Sequence, residues 1–396
     1  MCKKRMAEDR FKVINNIFPV VLVTGARQIG KTTMLKHLSQ NENRAYVTLD
    51  DLNIRDMAIN DPKLFFQNFP PPVIISEIQY APNLFEQIKS LCEKDNSSGQ
   101  YWLTGSQSYE LIEDVAETLA GRVGLLESAT KIIEVMDIVK IKEKMKTAHE
   151  FNIDDMWKFI FFGGMPKTFS LTPEEHREYM NSYIRTYLMR DVMELGKITD
   201  TVKFNRFLVG AAAMIAKQLN IATLARVADI TEPTAKEWLK LLQGLGIVYL
   251  IQPYNDSEIK RLVKAPKLYF YDTGIAAYLS MWPTADTLKI SSVNGDYFEN
   301  FVMNQIVKKL SYSENQLNIF YYRDNDQKEI DIVIEKYDGL LPMEIKLTSS
   351  AHYSDVKKFS LLKKFKKPVL PGALICTIDE PLLAQEGDII LPIKLI

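Results

Sequence analysis

Eight consecutive residues narrow the choice of fold more than any other feature of the chain. Gly25-Ala26-Arg27-Gln28-Ile29-Gly30-Lys31-Thr32 follows the spacing G-x-x-x-x-G-K-[ST] in full. An apolar run, residues 19–25, precedes it and reads as a buried strand. Residues 31–38 follow it and read as a helix. In that setting the glycines let the backbone turn tightly and aim N–H groups at phosphate oxygens. The helix N-terminus adds its partial positive charge. Residues Gly25 to Thr33 are therefore expected to cradle a nucleotide. Lys31 would reach its β- and γ-phosphates, and Thr32 would offer a hydroxyl to Mg²⁺. The cofactors implied are ATP and Mg²⁺.

The segments around this loop alternate between strand and helix. Further strands are expected at residues 45–49, 73–76 and 101–104, which implies a parallel sheet covered on both faces. Long helical patterns dominate residues 150–285, at 156–162, 174–195 and 203–219, with Gly163-Gly164-Met165-Pro166 as punctuation. Two short helices, 221–228 and 234–242, separated by a turn and followed by a strand at 247–250, suggest a winged helix. From about residue 295 a helix (297–310) leads into strands at 319–322, 329–334 and 341–346. A helix at 354–364 and strands near 373–377 and 389–395 follow. The expected fold is α/β: a P-loop NTPase parallel sheet over 1–145, a helical and winged-helix domain over 146–285, and a further α/β domain over 286–396.

A phosphate-binding loop needs an acidic partner on a neighbouring strand. Val73-Ile74-Ile75-Ser76-Glu77 is the candidate. Its Glu77 can polarise the attacking water. The usual aspartate, which holds Mg²⁺ through its waters, is Ser76 here. Asp50 and Asp51 either lend charge nearby or cap a helix or turn. Thr104-Gly105-Ser106-Gln107 ends the strand at 101–104, and a polar residue there, Ser106 or Gln107 among them, can touch the γ-phosphate or the attacking water. Arg122 either senses phosphate, its own chain's or a neighbouring copy's, or forms a surface ion pair.

Together GARQIGKTT, SEIQYAPNLF, LTGSQ and LAGRV resemble a family of prokaryotic AAA-type ATPases. FGGMPKTF, YLMRDVMELGKI, YDTGIAAYL, FENFV and EIDIVI are similar to the C-terminal part of that family, a domain of uncharacterised role. The resemblance implies P-loop ATPase activity. It puts Lys31 and Thr32 at the nucleotide, Glu77 as base, Ser106 or Gln107 as sensor and Arg122 as a nucleotide-contacting arginine. It also implies self-assembly into a ring. The family pattern has Asp-Glu where this chain has Ser76-Glu77, so weaker Mg²⁺ binding and slower turnover are expected.

Two further features point to nucleic acid. The second helix of the winged-helix pattern carries Lys236, Glu237 and Lys240; Glu232 and Glu237 would repel phosphates. In the C-terminal part, Glu299 on a helix, Asp331 on a strand and Glu344-Ile345-Lys346 on the next strand occur in the order that resembles the PD-(D/E)-x-K nuclease superfamily. On that resemblance Asp331 and Glu344 would be metal ligands and Lys346 would position water. Lys357, Lys358, Lys363, Lys364, Lys366 and Lys367 either track a phosphate backbone or form a solvated face. The partner is then DNA or RNA. The alternative is a nucleotide-gated switch that binds a protein.

Composition excludes little. Net charge is −1, so any nucleic-acid binding must come from local patches. Cys2, Cys92 and Cys376 are scattered, as are His37, His149, His176 and His352, which argues against disulfide and zinc chemistry. No apolar run approaches the roughly 18 residues that span a bilayer. A cytoplasmic location away from membranes is expected.

Overall fold

Alternating apolar segments and helices at the start of the chain build a parallel sheet, and the computed structural model shows its order. Residues 6–25, 28–105, 109–127, 152–194, 198, 200–312, 317–384 and 387–396 are described. They fold as two units, Met1–Lys131 with Leu241–Ile247, and Ile132–Lys240 with Val248–Ile396.

In the first unit the strands are β1 (Val20–Thr24), β2 (Ala45–Thr48), β3 (Val73–Ser76), β4 (Tyr101–Thr104) and β5 (Val123–Glu127), in the order β2-β3-β4-β1-β5. Every pairing is parallel. β1, β3 and β4 are buried along their whole length because helices cover both faces. On one face Val20, Leu22, Val73, Ile75 and Leu103 pack against Phe65, Leu84, Phe85 and Ile88. On the other, the helix Met6–Ile17 brings Phe11 edge-on to Trp102, with ring centroids 4.8 Å apart. Its Asn15 accepts the Trp102 indole N–H at 2.6 Å.

In the second unit the strands are β6 (Lys217–Gln218), β7 (Val248–Pro253), β8 (Lys267–Phe270), β9 (Asn318–Arg323), β10 (Glu329–Glu335), β11 (Leu340–Ile345), β12 (Ala373–Cys376), β13 (Leu382–Leu383) and β14 (Ile389–Pro392). They form one sheet, β13-β14-β12-β11-β10-β9-β7-β8-β6. The join is the parallel pairing of Gln252 and Pro253 on β7 with Phe320 and Tyr321 on β9. The sheet therefore crosses the boundary expected at 285–286, because β7 finds a hydrogen-bonding partner beyond it. The long helix expected at 174–195 is Pro173–Ser182, a π-helical stretch Tyr183–Leu188, and Met189–Glu194.

Asp272 explains two of the glycine-rich runs. Its carboxylate accepts from Gly164 N at 2.9 Å and Gly274 N at 2.8 Å. Gly163 has φ +80 and a Cβ there would lie 2.0 Å from Asp272 Oδ1, so no larger residue fits. Burial raises the Asp272 carboxyl, while these N–H groups and Lys308 oppose the rise.

Candidate functional site

Three strand ends in the first unit make a site. Val23 on β1 is level with Thr104 on β4, and Thr104 with Ser76 on β3. Their carboxyl ends therefore open side by side, the edge at which open parallel sheets take ligands. The loop after β1 leaves from this edge. Gly25 has φ 140 and Gly30 φ 81, and Gln28 is also left-handed at φ 61. Gly30 is the N-cap of the helix Lys31–Leu38, whose first N–H groups thus face the loop. Ala26 and Arg27 lie outside the described residues.

The side chains at this edge touch one another. Lys31, nearly buried, donates from Nζ to the Gly25 carbonyl at 2.8 Å. Thr32 Oγ1 lies 3.2 Å from Ser76 Oγ, which lies 3.0 Å from Thr104 Oγ1. Three hydroxyls from a helix and two strands thus form one line. Ser76 stands where the aspartate was looked for and contacts the Mg²⁺-binding candidate Thr32. Thr32 and Ser76 fit the metal of a nucleotide–metal complex, offering hydroxyl oxygens to it or to its waters. Glu77 follows β3 in a left-handed conformation, φ 61 and ψ 45. Gln79 Nε2 donates to its Oε2 at 2.8 Å. Ile29 is buried and Thr33 exposed.

The remaining candidates of this unit sort by position. Ser106 and Gln107 lie outside the described residues. Thr104, the first residue of that run, is the polar residue that ends β4 and lies beside Ser76. Asp51 caps the helix Leu52–Asn60, accepting from Asn53 N at 2.9 Å and Ile54 N at 3.3 Å. Asp50 is exposed and takes the Thr48 hydroxyl at 3.3 Å. Arg122 lies at another edge. Its carbonyl accepts from Val20 N at 3.1 Å, at the amino ends of β1 and β5. The loop leaves the carboxyl end of β1, a strand's length of about 3.3 Å per residue away. Arg122 therefore sits at the edge opposite its own chain's loop, and its guanidinium pairs with Glu93 at 3.4 Å, the ion pair that was one of its expected roles.

Restoring the missing charge is a direct test of this geometry. Ser76→Asp should lower the half-saturating Mg²⁺ concentration and raise the ATPase rate. A charge-assisted hydrogen bond to a metal water is about twice as strong as a neutral one. The new buried anion beside Glu77 works against this until Mg²⁺ arrives. A Mg²⁺ titration of rate that leaves both quantities unchanged would make Ser76 a bystander.

The second unit carries a different constellation. Lys267 Nζ on β8 lies 2.6 Å from Glu299 Oε1, 2.6 Å from Glu329 Oε1 and 3.9 Å from Asp331 Oδ1. Tyr269 donates its hydroxyl to Glu299 at 2.6 Å. Asp331 Oδ2 accepts from Ile345 N at 2.8 Å. Glu344 pairs through Oε1 with Lys358, while its buried Oε2 has no partner among the described residues. Burial would depress the Lys267 ammonium, but the carboxylates outweigh it and hold its pKa above the ordinary lysine value. Burial pushes the Glu299 carboxyl up to about 7 against the pull of Lys267. Burial and then Asp331 push Glu344 up as well.

This arrangement bears on the expected metal centre. Asp331 and Glu344 do come to one region with Glu299, but a lysine ammonium holds the carboxylates together. Among the described residues no group of three or more acidic, histidine or cysteine side chains is placed to hold a metal ion. Lys346 does not join them. β11 ends at Ile345, so alternation no longer governs the next side chain, and Lys346 Nζ goes to Asp355 at 2.7 Å. Sequence reasoning missed Lys267, whose acidic partners are 32 to 64 residues away. The lysine tract is also largely committed. Lys358 holds Glu344, Lys364 the Tyr322 hydroxyl, and Lys367 both Glu335 and the Lys336 carbonyl. Among the described residues no helix is long and apolar enough to cross a membrane.

Comparison with known proteins agrees with the first unit. Residues 18–130 match an AAA domain, residues 153–286 a domain of unknown function (DUF8612), and residues 294–396 another (DUF4143). Uncharacterized proteins of Mycobacterium bovis and Mycobacterium tuberculosis are each 27% identical over 364 residues, which is 91% of this chain and 78% of theirs. A solved Walker-type ATPase of Pyrococcus abyssi is similar at 13% identity, covering 71% of this chain and 96% of that one, with a TM-score of 0.44. The Thermotoga maritima RuvB Holliday junction branch migration motor is similar at 15% identity, covering 61% and 88%, with a TM-score of 0.31. The match over residues 18–130 and the loop on the parallel sheet make this part an AAA-type P-loop ATPase domain.

Proposed function

We propose that the chain is a Mg²⁺-dependent ATPase whose nucleotide state gates the binding of a protein partner by its second unit, without cleavage of nucleic acid. The observation that carries the ATPase reading is the convergence of Lys31, Thr32, Ser76 and Glu77 on one sheet edge. The loop N–H groups and the N-terminus of the helix Lys31–Leu38 would bind the phosphates. Lys31 would exchange the Gly25 carbonyl for phosphate oxygens. Thr32 and Ser76 would hold Mg²⁺, whose charge screens the phosphates. Glu77 would orient the attacking water and take its proton.

The absence of cleavage is supported by Lys267 among the acids and by Lys346 turned to Asp355. Helix Thr201–Ala212, β6, helices Ile221–Ala228 and Glu232–Gly244, then β7 and β8, support a winged-helix reading of the segment before it. The stretch between β7 and β8 is tied down, since Arg261 pairs with Glu335 on β10 at 3.2 Å. That leaves it poorly disposed to reach a DNA groove.

Purified protein should hydrolyse ATP with Mg²⁺, stop with EDTA, and lose about 10²–10⁴-fold in turnover as Glu77→Gln. It should cut neither DNA nor RNA with Mg²⁺ or Mn²⁺. Nuclease activity abolished by Asp331→Ala would sink the non-cleaving reading. Wild-type turnover in Glu77→Gln would sink the assignment of the base.

A further inference from the structure

We propose that Gln79 is the positioning residue of the ATPase site, holding the Glu77 carboxylate in the orientation that activates water. The proposal rests on Glu77 being the base.

Three observations point to it. The Gln79 amide donates to Glu77 Oε2 at 2.8 Å. A carboxylate only accepts, so the nitrogen must face Glu77 and the amide oxygen must face away. That oxygen, Oε1, is buried and has no hydrogen-bond partner among the described residues. It faces Gly105, where an added Cβ would lie 3.0 Å from it. A buried orphan acceptor lowers stability, and a side chain of the same length without polar atoms would avoid it. The amide is favourable at this place only for the hydrogen bond it gives Glu77.

The support beneath it is rigid. Gln79 sits in the 3-10 turn Ile78–Tyr80, closed by Tyr80 N to Glu77 O at 3.1 Å. Ile78 is fully buried in the sheet's core. The Arg55 guanidinium stacks 3.9 Å from the Tyr80 ring centre, while Arg55 Nε donates to Leu49 O at 2.6 Å. Glu77 itself is left-handed, a conformation a non-glycine residue keeps only when its surroundings hold it. A turn fixed at both ends sets the distance between amide and carboxylate before any substrate binds, which is what a preorganised base requires.

The test compares Gln79→Met, Gln79→Glu and Glu77→Gln in the full chain. Gln79→Met should lower kcat about 10–100-fold, the usual range for losing a supporting hydrogen bond behind a catalytic group. KM and ATP affinity should stay within about 3-fold of wild type. Its melting temperature should stay level or rise, because the orphan oxygen is gone. A merely structural glutamine would do the reverse, lowering melting temperature and leaving kcat alone. Gln79→Glu removes the amide donor and sets a second acceptor against Glu77, so its kcat should fall at least as far as that of Gln79→Met. Wild-type kcat in Gln79→Met, with Glu77→Gln inactive, would overturn the proposal and leave the base standing. Wild-type kcat in Glu77→Gln would overturn both.

Discussion

Lys267→Met should lower the stability of the second unit by about 3–5 kcal/mol, the loss expected when one member of a buried ion pair is removed and the others stay charged. Lys267 is 3% exposed and touches Glu299 and Glu329 at 2.6 Å each. Methionine fills similar space but leaves these carboxylates, with Asp331, facing one another. For a unit of this size the melting temperature should fall by roughly 10 °C. The sign of the pH dependence identifies the cause. Glu299 has a folded-state pKa of about 7, above its ordinary 4.5. Its contribution to stability is thus fully present below pH 4.5 and lost as pH rises through 7. Removing the ammonium moves that carboxyl further up, so the deficit of the variant should be larger at pH 8 than at pH 5. Thermal melts of both proteins at the two pH values check this. An equal or smaller deficit at pH 8 would mean that Lys267 acts by packing rather than by charge.

Lys31→Ala should weaken ATP binding about 10²–10³-fold, the effect of losing two charge-assisted hydrogen bonds to phosphate at roughly 1.5–3 kcal/mol each less what water restores. The loop backbone, set by Gly25 and Gly30, remains in place. Without nucleotide the change removes the contacts Lys31 makes at the open edge of the sheet, the bond from its Nζ to the Gly25 carbonyl among them. Stability should change far less than ATP affinity. Titration calorimetry with ATP and a parallel melt separate the two quantities. Wild-type affinity in the variant would remove the loop from any account of this chain.

The first unit was legible because its signals are local. An apolar run, a glycine-rich loop and a helix start are contiguous, and hydrogen bonding between neighbours along the chain fixes them. β5 was not read, and with it the place of Arg122 at the amino edge. A residue just before a parallel strand must sit at the amino edge, opposite the loop, and Val123 begins that strand. The second unit was less legible because its contacts are distant in sequence. Lys267 reads as an ordinary polar start to a strand, and nothing local signals Glu299 or Glu329. The run Glu344-Ile345-Lys346 misled for the opposite reason: a local rule, alternation, was applied one residue past the end of β11. Lys358, fourteen residues after Glu344, supplies the positive partner instead.

The pairing of β7 with β9 bears on how such a chain can be divided and inherited. Two separately recognised stretches, 153–286 and 294–396, each own part of a single sheet. A fragment starting near 294 would present β9 as an open edge, with the backbone of Phe320 and Tyr321 ready to pair with another molecule. It would also carry Glu299, Glu329 and Asp331 into solution without their lysine. A fragment ending near 286 would keep that lysine and lose its anions. Neither stretch holds the whole sheet, so transplanting one alone would leave an unpaired strand edge and buried charges without their partners.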